Sequence, residues 1–110
     1  MTSQSEDTTP FAIATAARDG WQVVTPEGEL DLTTAPLLDQ HLVEVLPGGQ
    51  TALDLSRVSF IDSTGIAVLV SVSASAREQG WRLELRDPSR HVERMISLTG
   101  VAELLGSPAG

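Results

Sequence analysis

The segment Thr51–Val70 constrains this chain more than any other part of its sequence. An apolar stretch at Thr51–Leu55 leads through a polar turn to Phe60 and Ile61, and the tetrad Asp-Ser-Thr-Gly at residues 62–65 then precedes a long apolar run. Asp and Ser favour the start of a helix because their side-chain oxygens accept from the unpaired amides of its first turn. Such an end also carries partial positive charge and suits a phosphate. The segment alone allows either an ordinary helix cap or a phosphorylated hydroxyl.

The N-terminal half of the chain predicts a hairpin followed by a helix. Phe11–Ala16 and Trp21–Thr25 read as strands around an Asp-Gly turn signal, and Gly28–Leu32 ends the second strand. Asp31, Thr33 or Thr34 can cap the next helix, with Pro36 tolerated in its first turn. Apolar residues then recur at helical spacing until Pro47-Gly48-Gly49 stops the pattern.

The second half is ambiguous at one point. Val70–Ala76 alternates like a strand, but the run Ile66–Gln79 is long for a strand, also fits one helical face, and ends at Gly80, which is a helix stop. We predict a helix that begins at Asp62 or Ser63. Beyond it the sequence predicts a strand at Trp81–Arg86, a Ser89-capped helix at His91–Leu98 and an edge strand at Glu103–Leu105. Strands that alternate with helices indicate an α/β layer with a mixed sheet.

Composition excludes several classes of function. A chain of 110 residues is one domain that buries about two-thirds of its unfolded surface, with residues 1–9 expected as a flexible tail and 10–106 as the domain. The formal net charge of −8 argues against direct binding to nucleic acid or to an anionic membrane. All seven basic residues are arginines, which removes mechanisms that need a lysine, and the absence of cysteine removes disulfides and thiolate metal sites. We expect a cytoplasmic protein without membrane insertion.

The motif Asp62-Ser63-Thr64-Gly65 closely resembles the signature of the STAS domain of bacterial anti-sigma factor antagonists. A second stretch, Gly28–Leu38, resembles the Gly-Glu-Leu/Ile-Asp with which a strand of that family enters its first helix. The two motifs stand in the family's order, and the resemblance runs from about Phe11 to Leu105. It implies a single α/β STAS domain, with a mixed β-sheet of four to five strands and helices packed mainly on one face.

The resemblance also implies a function without a cofactor. The unphosphorylated protein would bind an anti-sigma factor with serine kinase activity and release the sigma factor, the kinase would phosphorylate Ser63, and a serine phosphatase would restore it. The family places the partner surface at residues corresponding to Asp31, Asp62, Ser63, Thr64 and Gly65, with Gly65 either a permissive backbone residue or a low spot for the kinase. Because Asp31 and Ser63 both follow a strand that hands over to a helix, we expect them at one edge of the domain.

Other interpretations stay open on the sequence. The family modifies the hydroxyl directly after the Asp, but Thr64 is adjacent to it, and Asp31 and Asp62 are also what ordinary helix caps require. A stand-alone STAS domain can instead be a subunit of a membrane lipid-transport complex of the ABC type. An enzyme or a metal site is not indicated, because His41 and His91 lack ligands at metal spacing and no nucleophile elbow is present.

Overall fold

The structure, a computed structural model, describes residues 11–107, so the expected tail at 1–9 lies outside the described residues. Eight main elements follow one another along the chain: β1 (Ala12–Arg18), β2 (Trp21–Leu30), α1 (Ala35–Val45), β3 (Thr51–Asp54), β4 (Val58–Ile61), α2 (Ser63–Gln79), β5 (Leu83–Arg86) and α3 (Arg90–Thr99). Short 3₁₀ turns occupy Leu46–Gly48 and Ala102–Leu104.

The five strands form one mixed sheet, which confirms the predicted α/β class. β1 and β2 are an antiparallel hairpin, closed by Asp19 and Gly20 with φ of 53° and 83°, as hairpin turns of two residues require. β2 runs parallel to β3 and to β4, and β3 runs parallel to β5. The order is β1-β2-β3-β5, with β4 paired to the far half of β2.

The long strand β2 pairs with two different strands along its length. Its first half, Gln22–Val24, pairs with β3, and its second half, Gly28–Leu30, pairs with β4 after a register shift at Gly28/Glu29. The sequence predicts a polar turn that leads to Phe60 and Ile61, and the turn lies at Ser56 and Arg57. The sequence analysis missed the strand β4 that follows, because a strand of four residues with only Val58 and Ile61 buried carries almost no periodicity of its own and is defined by its pairing with β2.

The predicted helix after the Asp-Ser-Thr-Gly tetrad is confirmed. α2 begins at Ser63 and runs without a break to Gln79, and Gly80 ends it in the left-handed conformation with φ of 75°. The alternating stretch Val70–Ala76 is therefore helical, with Val72, Ser73 and Ala76 facing the interior. The caps at the two ends, Asp62 and Gly80, favour a helix. They outweigh the preference of the β-branched residues in the middle for a strand.

The core joins the strands to the helices. α1 and α2 pack against each other, while α3 packs on β4. The largest fully buried side chains are almost all aliphatic: Leu30, Leu38, Leu42, Leu46, Leu53, Leu55, Ile61, Leu69, Val24, Val58 and Val92, with Thr51 as the polar exception. Burial of this kind contributes about 25 cal/mol per Å² of apolar surface and fixes α2 against the ends of β2 and β4.

The predicted edge strand at Glu103–Leu105 was wrong. Glu103 and Leu104 belong to a 3₁₀ turn, Ala102–Leu104, which Leu105 follows, and the chain reaches the sheet only after Gly106, whose φ of 79° turns it back. Ser107 then pairs with Leu83 through two backbone hydrogen bonds of 2.8 and 2.7 Å. Within residues 11–107, the helices are all too short or too polar to cross a membrane.

Candidate functional site

Ser63 is the first residue of α2 and is exposed. Asp62 precedes it in extended conformation, and its Oδ1 accepts from the backbone N–H of Thr64 at 2.9 Å and of Gly65 at 3.1 Å. The Asp62 carboxylate therefore caps the helix, while the Ser63 hydroxyl forms no hydrogen bond to the described part of the chain. The hydroxyl is thus accessible on the surface and is not needed to cap α2.

Asp31 organises the turn between β2 and α1. Its Oδ1 accepts from the N–H groups of Thr33 at 3.0 Å and Thr34 at 3.1 Å, and its own N–H donates to Thr34 Oγ1 at 2.9 Å. Thr34 Oγ1 in turn donates to the Glu29 carbonyl at 2.6 Å. Thr34 occupies the N-cap position of α1 without a side-chain cap bond, so Asp31 supplies the acceptor and Thr34 ties the turn to β2.

These hydrogen bonds act on the charge of Asp31. The N–H of Thr34 is the main cause that lowers the pKa of the Asp31 carboxyl below its ordinary value, and the Thr33 N–H and the Thr34 hydroxyl act in the same direction. Desolvation opposes them but is outweighed. Because hydrogen bonds to the ionised form favour that form, Asp31 is a fixed negative charge at neutral pH.

The two turns lie side by side. Leu30 is paired with Ile61 in the parallel β2–β4 ladder, and Asp62 N donates to the Leu30 carbonyl at 3.2 Å. The residues that follow these two, Asp31 and Asp62, therefore leave the sheet at the same edge, as the sequence predicted for Asp31 and Ser63. Asp31 is half-buried and Ser63 is exposed, so the serine is the more accessible of the two.

Gly65 is buried and points inward, which corrects the interpretation of this residue as a low spot on the surface. A Cβ at this position would lie 2.6 Å from Ile61 Cγ1 and 2.8 Å from the Leu30 carbonyl oxygen. Real Cβ atoms do not approach that closely, so only glycine lets the first turn of α2 rest on the ends of β2 and β4. Gly65 thereby fixes the position of Asp62, Ser63 and Thr64 at the start of α2.

Sequence reasoning missed the exposed apolar side chains beside these turns. Leu32, directly after Asp31, is 74% exposed, and Phe60 is 41% exposed. Phe60 stacks on His91 with a centroid distance of 5.0 Å, and His91 Nε2 lies 3.2 Å from the Ile61 carbonyl oxygen. The sequence predicts Leu32 at the end of a strand, but β2 ends at Leu30. Leu32 is accessible because it lies in the turn that follows. The edge that carries Ser63 thus combines carboxylates and hydroxyls with apolar surface.

The histidines have structural partners. His41 Nε2 lies 2.7 Å from Thr15 Oγ1, and His91 contacts β4 as described. Residues 11–107 hold no group of three His, Cys, Asp or Glu side chains arranged for a metal ion. Neither histidine is close enough to a carboxylate to form an ion pair within the same range.

Comparison with known proteins agrees with this fold. The family model described as Mlab, STAS domain matches residues 13–106. The anti-sigma-B factor antagonist of Bacillus subtilis is 33% identical over 79 residues, which cover 71% of this chain and 72% of the relative. That of Listeria monocytogenes is 34% identical over 80 residues, which cover 71% and 70%. A crystal structure of an anti-sigma factor antagonist from Mycobacterium paratuberculosis superposes with a TM-score of 0.72 at 30% identity, covering 89% of this chain and 86% of the other.

The family match spans nearly the whole of the described chain. The alignments with the two curated relatives cover more than two-thirds of the length of each relative. The chain belongs to the family of STAS-domain anti-sigma factor antagonists.

Proposed function

We propose that this protein is an anti-sigma factor antagonist that is switched by phosphorylation of Ser63. In its unphosphorylated form it binds an anti-sigma factor with serine kinase activity, and this binding releases the sigma factor. The kinase phosphorylates Ser63 and so ends the interaction, and a serine phosphatase reverses the modification. The observation that carries the proposal is the exposed Ser63 hydroxyl at the first residue of α2, without a hydrogen bond to residues 11–107 and beside the Asp31 turn.

A phosphate at this position would change binding without unfolding the domain. It adds about −1.5 to −2 charge units at an edge that already carries Asp31 and Asp62. The Asp62 carboxylate occupies the N–H groups of Thr64 and Gly65, so the phosphate cannot use those two amides unless it displaces the cap. Its charge and bulk stay on the surface, where they oppose a partner that fits the unmodified edge. The helix dipole still favours negative charge at this end, so α2 remains folded.

We assign the partner surface to Asp31, Asp62, Ser63 and Thr64, with Gly65 as the residue that holds them in place. The exposed Leu32 beside Asp31 extends this surface with apolar area. The domain acts as the kinase's substrate and has no catalytic role of its own, and the reaction uses the ATP of the kinase. Such an exchange takes place in the cytoplasm, where the sigma factor and its inhibitor meet.

Phosphorylation of defined variants tests the proposal. The protein is incubated with ATP and candidate anti-sigma kinases from its own genome, and phosphate is located by mass spectrometry. We expect modification of the wild type and of Thr64→Val at Ser63, and none of Ser63→Ala. Phosphate on Thr64 in the wild type would move the switch by one residue. If every kinase leaves the wild type unmodified, the switch is rejected and the role as a subunit of a lipid-transport complex becomes the better hypothesis.

A further inference from the structure

A groove lies between α3 and the start of β4, and three arginines and a histidine are among the residues that line it. It has a volume of about 520 Å³, within the size range of small-molecule sites. Arg57 lines one wall from the turn that follows β3, and Arg90, His91 and Arg94 line the other wall from α3. The groove therefore brings together cationic groups that are more than thirty positions apart in the sequence.

Hydrogen bonds hold the two walls in place. Ser89 Oγ donates to the Val58 carbonyl at 2.6 Å, and Ser89 N donates to the Leu55 carbonyl at 3.1 Å. Two residues further along the chain, His91 Nε2 lies 3.2 Å from the Ile61 carbonyl oxygen. Since α3 is attached to β4 near both ends of the strand, the groove is a fixed feature of the fold.

The charge of the groove is opposite to that of the chain. The protein carries 15 acidic residues and a net charge of −8, yet no carboxylate lines the groove among the described residues. Within residues 11–107, Arg57, Arg90 and Arg94 also form no ion pair. Arg90 and Arg94 stand four apart on one helix, where like charges repel. A bound anion would remove this repulsion.

We propose that the groove binds the phosphate group of a small organic phosphate. A carboxylate carries one charge and is satisfied by a single guanidinium fork, whereas a phosphate offers up to two charges and at least three oxygens to several forks at once. Three arginines around one groove match a phosphate better than a carboxylate. The volume exceeds the need of a bare phosphate ion, so the remaining space takes the organic part of the ligand.

This site is separate from Ser63. The groove lies at the start of β4 and at the first turns of α3, whereas Ser63 follows the far end of β4. A finding that Ser63 is not phosphorylated would not affect phosphate binding by the arginines. A finding that the groove binds no phosphate would not affect phosphorylation of Ser63. The two proposals therefore fail independently.

Titration followed by backbone amide NMR tests the groove. The probes are ribose 5-phosphate and inorganic phosphate, with ribose and acetate at matched ionic strength as controls. We expect saturable shifts at Arg57, Arg90, His91 and Arg94 with ribose 5-phosphate, weaker ones with inorganic phosphate, and none with ribose or acetate. Arg90→Gln and Arg94→Gln should each weaken binding about tenfold, the loss of one charge-assisted contact. Arg82→Gln, the same change at an exposed residue just before β5, should not alter it.

Three results would overturn the assignment. The first is the absence of saturable shifts with either phosphate, and the second is an equal loss of binding in Arg82→Gln, which would show diffuse attraction only. The third is tighter binding of a Glu-rich peptide than of ribose 5-phosphate, which would make the groove a contact for an acidic protein segment. Stronger binding of inorganic phosphate than of ribose 5-phosphate would contradict the organic part of the proposal.

Discussion

The carbonyl oxygen of Leu30 accepts a hydrogen bond from Asp62 N at 3.2 Å. The same oxygen would lie 2.8 Å from a Cβ at position 65. This one carbonyl, at the end of β2, therefore fixes the start of the turn that carries Ser63. It also restricts position 65 of α2 to glycine. The Asp31 turn begins at the first residue after β2, so the two turns are coupled through the backbone of Leu30.

Gly65→Ala should destabilise the fold. In an open helix, alanine would be favoured over glycine by about 1 kcal/mol. Here the new Cβ meets Ile61 and the Leu30 backbone, and overpacking of this kind costs about 1–3 kcal/mol. We expect the free energy of unfolding, measured by urea denaturation, to fall by about 1 kcal/mol or more.

Gly48→Ala is the matched control for that substitution. A Cβ at Gly48 would meet only side-chain atoms of Gln22, with Oε1 at 3.2 Å, and no backbone atom, so the loss of stability should be smaller than that of Gly65→Ala. Equal stability of the Gly65→Ala variant and the wild type would show that α2 does not rest tightly on Leu30.

Asp62→Ala should cost about 1 kcal/mol of folding stability, because it removes the acceptor for the N–H groups of Thr64 and Gly65. Asp62→Asn keeps an acceptor oxygen and should cost less. Ser63→Ala should cost about 1 kcal/mol or less, since Asp62 still caps the helix. Thermal and urea unfolding of the three variants gives the order, and a larger loss for Ser63→Ala than for Asp62→Ala would contradict the assigned cap.

Asp31 should make stability depend on pH in the acidic range. Its pKa is lowered in the folded state, chiefly by the N–H of Thr34, relative to about 3.9 in the unfolded chain. The stabilisation is therefore complete above the unfolded value and is lost as the pH falls through the lower, folded pKa. NMR titration of the carboxyl should give a pKa below that of an aspartate in the unfolded chain. Asp31→Asn should lose less stability than the wild type on acidification below about pH 4. An equal loss would show that the turn does not favour the ionised form.

Local signals in the sequence were sufficient for α2, because Asp62 and Gly80 act on the amides and carbonyls of adjacent turns. The hairpin was equally predictable from Asp19-Gly20. β4 was not predictable, because its pairing with Gly28–Leu30 is a non-local contact that leaves no pattern in a segment of four residues. For the same reason the sequence placed Glu103–Leu105 in a strand, while the chain reaches Leu83 only at Ser107.

The candidate site divides along the same line. The positions of Asp31 and Ser63 at one edge followed from the rule that both end a strand and precede a helix. The inward orientation of Gly65 depends on Leu30, which lies 35 positions earlier. The exposure of Leu32 and the grouping of Arg57 with Arg90 and Arg94 likewise depend on how distant segments meet. Each of these required the fold.

The affinity of Ser63 variants for the cognate anti-sigma kinase tests the central claim most directly. Calorimetry is performed with wild type, Ser63→Ala, Ser63→Glu and, as a control for an acidic change elsewhere on the exposed face of α2, Ser71→Glu. Glutamate supplies roughly half the charge of a phosphate beside Asp62. We predict that Ser63→Ala and Ser71→Glu bind like the wild type and that Ser63→Glu binds at least about tenfold more weakly, a loss of about 1.4 kcal/mol. Equal affinity of Ser63→Ala and Ser63→Glu would contradict the switch.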